Sequence, residues 1–305
     1  MVARKSRSRA FIPCCLKCLE PGEMVAAAAR AVEHNPANAP PPGALASLIG
    51  IALVGEEAHR WAISVVTSKY WGTGGRKFGV QFLDNPNQAT RTKILAHMNA
   101  WNSRCSVSFQ ESAQGEIRIT RGGTGYWSYL GTDILSIPSN QATMNLQGFT
   151  ENTPDSEYRR VVRHETGHSL GCPHEHMRRA IVDLLDVNKT INYFAQTQGW
   201  SANETRQQVL TAIEERSLLA SSTTDQDSVM CYQLPAGITK NGKPIVGGVD
   251  ITENDFAFMS KLYPKPQDPP PAPPPPPVAS GTISFNALVS DVINKLQALG
   301  YTVTK

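Results

Sequence analysis

Residues 161–174 read VVRHETGHSLGCPH, and this segment says more about the fold than any other part of the chain. The two valines predict a helix with an apolar side toward the core. His164 and His168 are four residues apart, so they project from one helical face about one turn apart. Gly171 can adopt the positive φ that ends a helix and reverses the chain. The returning chain then brings His174 to the same place, and the segment predicts three clustered imidazoles.

Three imidazoles in this arrangement predict a catalytic zinc site with one ion per chain. Zinc takes histidine nitrogens at roughly 2.0–2.1 Å, and three protein ligands leave a fourth position open to water. Glu165 is placed to act on that water as a general base without ligating the metal. A structural zinc site would need neither Glu165 nor an open position. A metal-free cluster would need separate partners for three buried imidazoles.

The composition excludes some classes of function. The 305 residues are 40% apolar and 18% charged, which is typical of a globular protein able to bury a sizeable core. The net charge of +3 comes with no basic stripe interleaved with aromatic residues, so nucleic-acid binding is not favoured. The longest apolar run, Ala44 to Gly55, is shorter than the roughly 20 residues that span a membrane. We therefore expect a buried element there and no transmembrane segment.

Residues 1–65 are interpreted as a leader or a pro-segment. The basic start resembles a signal peptide, but Pro13 and Lys17 interrupt the stretch that follows and no clear cleavage site appears. Secretion and localisation therefore stay open. Cys14, Cys15 and Cys18 have no second Cys-x-x-Cys to complete a metal site of their own. They are either peripheral thiols or, in a latent form, occupants of the open zinc position.

Three parts follow the leader. Residues 66–264 are expected to form one α+β domain. Residues 265–280 are predicted to be an extended, semi-rigid linker, because every residue from 269 to 277 except Ala272 is proline. Residues 281–305 carry apolar residues at helical spacing, which predicts an amphipathic tail helix. Such a helix is too short to fold alone, so we expect it to dock on its own domain or on a partner.

The periodicity of apolar residues predicts several strands and helices in residues 1–65 and 66–264. Strands are predicted at 77–83, 107–109 and 117–119 from alternation and short apolar runs. Helices are predicted at 23–34 and 92–101. Two further helices should begin at Ser201, where residues 201–204 form a capping box, and at Thr252.

The histidine segment matches the extended zinc-binding signature of the metzincin peptidases. Downstream, residues 227–232 read DSVMCY and are similar to the Met-turn of that clan. The surroundings resemble the astacin-type members in particular. Glu175 and Arg178 follow the third histidine as in the family's His-Glu-x-x-Arg run, and Tyr232 stands two residues beyond Met230, where astacins place a tyrosine.

Two further segments carry the resemblance, which covers roughly Lys69 to Pro264. Residues 126–131, YWSYLG, resemble the segment before the substrate-binding strand of astacins. Residues 141–146, QATMNL, resemble that strand itself, so Thr143, Met144 and Asn145 are the expected substrate-binding residues. An extended polypeptide would add antiparallel to this edge.

The resemblance implies a metzincin-like fold and a set of residue roles. The fold is a twisted mixed sheet, an active-site helix carrying the first two zinc ligands, and a mainly helical C-terminal subdomain. His164, His168 and His174 would bind zinc, with Met230 as a structural floor beneath them. Tyr232 would donate a hydrogen bond to the developing oxyanion, although it could instead be only a packed aromatic residue.

Two neighbours of the third ligand have open alternatives. Glu175 would bind a buried N-terminus or a nearby polar partner, against the alternative of a solvated carboxylate. His176 is expected near the ligands or at the surface rather than on the metal.

The chain also departs from the astacin pattern. Astacins usually carry two disulfides in this domain, whereas only Cys105, Cys172 and Cys231 are available here. Cys172 and Cys231 flank turns that should pack together, so they could form a disulfide or remain two buried thiols.

The residues favour a zinc-dependent endopeptidase that acts on polypeptides, with Glu165 as the general base. The alternative is a non-catalytic zinc-binding module derived from a peptidase fold, which the presence of Glu165 disfavours. A metal-dependent hydrolase of other bonds is disfavoured by the Met-turn and the strand segment.

Overall fold

The computed structural model describes residues 14–20, 22–40, 67–212 and 224–266. The apolar run at 44–55, all but the first two linker residues and the tail at 281–305 lie outside these residues. Their predicted structures therefore remain predictions. Across the described residues, no helix has both the length and the apolar character needed to cross a membrane.

A six-stranded mixed sheet forms one layer of the domain. Its strands are β1 (Cys14–Lys17), β2 (Arg76–Phe82), β3 (Val107–Glu111), β4 (Ile117–Thr120), β5 (Tyr126–Tyr129) and β6 (Met144–Leu146). Their order is β1-β5-β6-β4-β2-β3. Only the pairing of β5 with β6 is antiparallel, and the other four neighbours pair in parallel. The α+β mixed-sheet prediction is confirmed.

Helices cover the sheet and form most of the second half of the domain. They are α1 (Met24–His34), α2 (Gln88–Met98), α3 (Asp155–Glu157), α4 (Arg163–Ser169), α5 (Arg179–Val182), α6 (Val187–Gln198), α7 (Ala202–Thr205) and α8 (Glu253–Leu262). Short 3₁₀ turns lie at Pro36–Asn38, Asn99–Ser103, Gly131–Ser136, Glu175–Met177 and Ala236–Ile238. Two π-helical turns, Tyr158–Val162 and Arg206–Leu210, follow α3 and α7 directly.

Local capping explains where several helices begin. Both predicted starts carry a full capping box: Ser201 with Glu204 at α7, and Thr252 with Asp255 at α8. The helix predicted at 92–101 begins earlier, at Gln88, because the side chain of Asn87 accepts the amide of Thr90.

One predicted edge of the sheet is wrong. Residues 144–146 form an interior strand between β4 and β5, and Thr143, Met144 and Asn145 are fully buried. The backbone of Thr143 bonds Arg118 on one side and Tyr129 on the other. Beyond residue 66 the edge strand on this side of the sheet is instead β5, and the leader strand β1 pairs with it.

The leader therefore packs against the domain in this structure. Cys14 pairs in register with Tyr126 and Lys17 with Tyr129. Helix α1, predicted from the alanine-rich sequence, is confirmed and lies against the turn at Gly131–Ser136. Residues 14–17 thus occupy the edge at which an extended polypeptide would add.

Candidate metal centre

The first two predicted ligands lie on α4, which ends as the sequence indicates. Gly171 has φ +100°, its amide bonds the carbonyl of His168, and the next amide, of Cys172, bonds the carbonyl of Gly167. These two bonds form a Schellman motif, which reverses the chain after Leu170. Residue 174 returns through this reversal toward the face of α4 that carries residues 164 and 168.

The three predicted histidines converge. His164, His168 and His174 are buried, and their possible ligand nitrogens all lie within 4.8 Å of one another. The Nε2 atoms of His168 and His174 are 3.0 Å apart. This is close to the ~3.3 Å separation of two nitrogens bound at tetrahedral positions on one zinc ion.

Hydrogen bonds fix the tautomers of the two helical histidines. Nδ1 of His164 lies 2.6 Å from the carbonyl of Val229, and Nδ1 of His168 lies 2.7 Å from the carbonyl of Cys172. A carbonyl only accepts, so each Nδ1 carries the proton and each Nε2 keeps its lone pair. The buried Nε2 of His164 has no hydrogen-bond partner among the described residues. This donor set fits a zinc ion, since metal-bound histidines characteristically donate their second N–H to such an acceptor.

Glu165 lies beside the histidines as a buried carboxylate. Its side chain is fully buried, and neither oxygen accepts a hydrogen bond of ordinary geometry from the described residues, although the Cys14 thiol lies close to it. Burial raises its pKa to about 8, against the opposing effects of the Cys14 thiol and the Arg160 guanidinium. A buried carboxylate with free oxygens is costly unless a cation or a water molecule satisfies it.

Met230 forms the floor beneath α4. A Cβ atom added to Gly167 would collide with the sulfur of Met230, so glycine is what allows this close approach. The carbonyl of Met230 also accepts the amide of Glu175, which joins the Met-turn to the segment after the third histidine. Met230 thus contacts the active-site helix and is bonded to the segment after His174.

Tyr232 lies at the rim of the histidine cluster. The residue is 3% exposed, and its hydroxyl has no hydrogen-bond partner among the described residues. Its ring centroid lies 4.5 Å from that of His174 and 3.9 Å from that of His176, with the latter pair stacked. His176 is therefore a buried neighbour of the ligands and not a surface residue.

Glu175 has polar partners within the domain. It forms a 2.6 Å ion pair with Arg178 and accepts the amide of Asp225 at 2.9 Å. The alternative of a solvated carboxylate is wrong, and the alternative of a nearby polar partner is confirmed.

Asp255 has a role at this site that the sequence did not reveal. Besides capping α8, its carboxylate accepts the hydroxyl of Ser228 at 2.6 Å and the amide of Val229 at 3.0 Å. The carbonyl of Val229 in turn holds His164. Asp255 thus supports the Met-turn and, through it, the first ligand. Its partners are more than 25 residues away, so local sequence gives no signal for them.

Cys14 reaches the centre from the leader. Its sulfur lies within 4.8 Å of a ligand nitrogen of His164 and a carboxylate oxygen of Glu165, and all three groups are buried. Burial, and then the charge of Glu165, raise the pKa of the Cys14 thiol well above its ordinary value. A bound divalent cation would reverse this effect, because a thiol that coordinates a metal is deprotonated.

The remaining cysteines are thiols as well. All six cysteines are free, so the structure favours two buried thiols at Cys172 and Cys231 over a disulfide. The sulfur of Cys172 contacts that of Met259 at 3.5 Å.

The chain is similar to several known proteins. The family model described as Astacin, a family of peptidases, matches residues 66–250. One solved structure of myroilysin is 30% identical, with a TM-score of 0.60, covering 65% of this chain and 96% of that one. A second is 29% identical, with a TM-score of 0.50, covering 65% and 87%. High choriolytic enzyme 1, a hatching enzyme zinc-protease from Oryzias latipes, is 17% identical with a TM-score of 0.42, covering 60% and 87%. No curated protein matches.

Proposed function

The chain belongs to the astacin family and is a zinc metalloendopeptidase. We propose that His164, His168 and His174 hold the zinc ion at which polypeptides are cleaved, and that Glu165 is the general base. One observation carries this assignment of roles. The carboxylate of Glu165 is buried beside the converging imidazoles, and its oxygens lack partners among the described residues. A residue with only a packing role would not need a carboxyl group there.

The chain's own residues have separable tasks in this reaction. When bound, zinc polarises the scissile carbonyl and acidifies a water molecule. Glu165 accepts the proton of the attacking water and passes it to the departing amine, so one carboxyl group serves both steps. The bonds from Val229 to His164 and from Cys172 to His168 keep the two imidazoles oriented throughout.

Tyr232 is proposed as the donor to the developing oxyanion. Burial raises the pKa of its hydroxyl well above the ordinary value, so the group remains a neutral donor at physiological pH. The hydroxyl is buried near His174 without a partner among the described residues, which leaves its hydrogen bond available for the reacting carbonyl.

The substrate is proposed to pair with β5. Once residues 14–17 leave, the outer edge of Tyr126–Tyr129 offers its backbone groups to another extended chain. Strand β6, which contains Met144 and Asn145 and directly follows Thr143, lies next to β5 and would support this edge from the interior. Residues 143–145 would then act on the substrate only through β5.

Cys14 is proposed to keep the enzyme latent. Its buried sulfur lies beside His164 and Glu165, which suits a thiolate in the open zinc position. Strand β1 at the same time covers β5, so the leader would block both the metal and the peptide-binding edge. On this proposal, residues 1–65 are a pro-segment.

Zinc content and casein hydrolysis test the peptidase assignment. The leader is first released by limited proteolysis, and the parental enzyme is compared with Glu165→Gln. We expect about one zinc per chain in both proteins and hydrolysis only in the parent. Equal zinc content with no hydrolysis by either protein would support the non-catalytic zinc-binding module instead.

The latency proposal is tested on the full chain. Cys14→Ser should raise hydrolysis before any proteolysis, while zinc content stays unchanged. Cys18→Ser is the matched control, because Cys18 is exposed in the same segment. If Cys14→Ser and Cys18→Ser behave alike, Cys14 does not maintain latency.

A further inference from the structure

Gln208 lies across the leader strand β1 from β5. Its side-chain amide donates from Nε2 to the carbonyl of Leu16 at 2.9 Å, and its Oε1 accepts the amide of Leu16 at 3.1 Å. The N–H and C=O of one strand residue point to the same side of the strand. Leu16 therefore turns these groups away from β5 and toward Gln208, and the leader is held along both of its edges.

The position of Gln208 is tied to the metal centre. Its backbone carbonyl accepts the Nε2 hydrogen of His176 at 2.9 Å, and His176 lies two residues after the third histidine. The neighbouring Val209 is fully buried, and the capping box at Ser201 orders the helix that leads into this turn. Gln208 is thus fixed relative to the reacting atoms before any peptide binds.

We infer that Gln208 binds substrate, pairing its amide with the main chain of an extended polypeptide on the N-terminal side of the scissile bond. This inference rests on the proposed peptidase function. Leu16, the residue that Gln208 now holds, is two positions beyond Cys14, which lies at the metal centre. The leader runs parallel to β5 away from the metal. A substrate antiparallel to β5 would enter from that end, so its acyl part would lie beside Gln208.

The chemistry of the contact defines the substrate class. Among the described residues, the side-chain amide of Gln208 bonds only the N–H and C=O of Leu16, so it recognises any residue that has both groups. Proline has no N–H and would lose one of the two bonds. The expected substrate is an extended chain with at least three residues before the scissile bond and no proline opposite Gln208.

Peptide kinetics test the inference on the zinc-loaded chain after the leader has been released by limited proteolysis. Gln208→Leu removes both hydrogen bonds at similar volume, and Gln207→Leu is the matched control because Gln207 is exposed on the same turn. We expect Gln208→Leu to raise KM about 5- to 30-fold with kcat within about twofold, since the lost bonds form equally in ground and transition states. Peptides with a single residue before the scissile bond should show no such change.

A proline scan gives a sharper readout. Proline is placed in turn at each of the three positions before the scissile bond. One position should show a KM penalty in the parent that disappears in Gln208→Leu, which a merely structural role of Gln208 would not produce. A KM unchanged in Gln208→Leu, or raised equally for short peptides and in Gln207→Leu, would overturn the inference.

Hydrogen exchange at the amide of Leu16 reports the contact without turnover. In the full chain, Gln208→Leu should accelerate this exchange, whereas Gln207→Leu should not. Faster exchange with an unchanged KM would confine Gln208 to the leader and overturn the substrate role. If the parental enzyme has no activity, both the proposed peptidase function and the substrate role of Gln208 are wrong. If the parent is active and its KM does not depend on Gln208, only the inference about Gln208 is wrong.

Discussion

His176 stacks on the ring of Tyr232, with centroids 3.9 Å apart and planes inclined by 22°. The imidazole is itself held by the bond from its Nε2 to the carbonyl of Gln208. The ring of Tyr232 therefore has a fixed surface on one side, although its hydroxyl has no partner among the described residues. Such a stack can aim the hydroxyl without touching it.

The stack predicts that His176 acts on catalysis through Tyr232. Tyr232→Phe should lower kcat about 10²-fold, the usual cost of one oxyanion donor. His176→Ala should lower kcat by a smaller factor, because the ring of Tyr232 loses its support, and His176→Phe should restore part of the loss. In the Tyr232→Phe background, His176→Ala should have little further effect on kcat. Equal effects in both backgrounds would show that His176 does not work through Tyr232.

Substitution of Asp255 is predicted to lower the affinity for zinc, although Asp255 acts on the metal centre only through the Met-turn. Asp255→Asn weakens the bonds that hold Ser228 and Val229, so the acceptor for Nδ1 of His164 becomes mobile. We expect zinc affinity to fall about 10- to 100-fold, as is typical for partners of metal-bound histidines. Competition with a chelator measures this change. Glu253→Gln, an exposed carboxylate on the same helix, should leave the affinity unchanged, and an equal loss there would contradict the role of Asp255.

The active-site helix could be predicted from the sequence because the residues that determine it are close together in the chain. Spacing alone places His164 and His168 on one face, and Gly171 ends the helix within the same fourteen-residue segment. The capping boxes at Ser201 and Thr252 are equally local, since each joins residues three positions apart. Elements of this kind need no knowledge of the rest of the chain.

The order of the strands and the contact between Leu16 and Gln208 could not be predicted from local sequence. Residues 141–146 have the pattern of a strand, but nothing in that pattern tells whether the strand lies at an edge or in the interior of the sheet. The bonds between Leu16 and Gln208 join residues 192 positions apart. Such contacts appear only once the topology has brought the two segments together.

The space beside Gly167 is predicted to be too small for a larger side chain. Gly167→Ala places a methyl group against the sulfur of Met230, so the chain must shift in a packed region. We expect a loss of about 1–3 kcal/mol in the free energy of unfolding, despite the better helix propensity of alanine. Urea denaturation of the zinc-free protein measures it. The matched control is Gly122→Ala, since no atom lies within 4 Å of a Cβ at that position. Similar stability of the two variants would contradict the contact.

Four buried imidazoles predict that the metal-free protein loses stability in acid. Burial lowers the pKa of His168 to about 4 and that of His176 to about 3, and it holds the pKa values of His164 and His174 well below the ordinary 6.5. Between these values and pH 6.5 the unfolded chain binds more protons than the folded chain. The stability that these four imidazoles contribute is therefore complete above about pH 6.5 and falls as the pH drops toward 4, and Glu165, whose pKa burial raises to about 8, opposes this slope by about one proton.

Each of these histidines should contribute a slope of about 1.4 kcal/mol per pH unit within that window. Urea unfolding with a chelator at several pH values measures how the free energy of unfolding changes with pH. His176→Gln should reduce this slope by the contribution of one proton, about 1.4 kcal/mol per pH unit. Zinc binds the clustered neutral imidazoles of the folded state more tightly than those of the unfolded chain, so zinc should raise the stability and extend the fold to lower pH. A slope in the chelated protein that is flat between pH 6.5 and 4.5 would mean that these imidazoles are not buried as neutral bases.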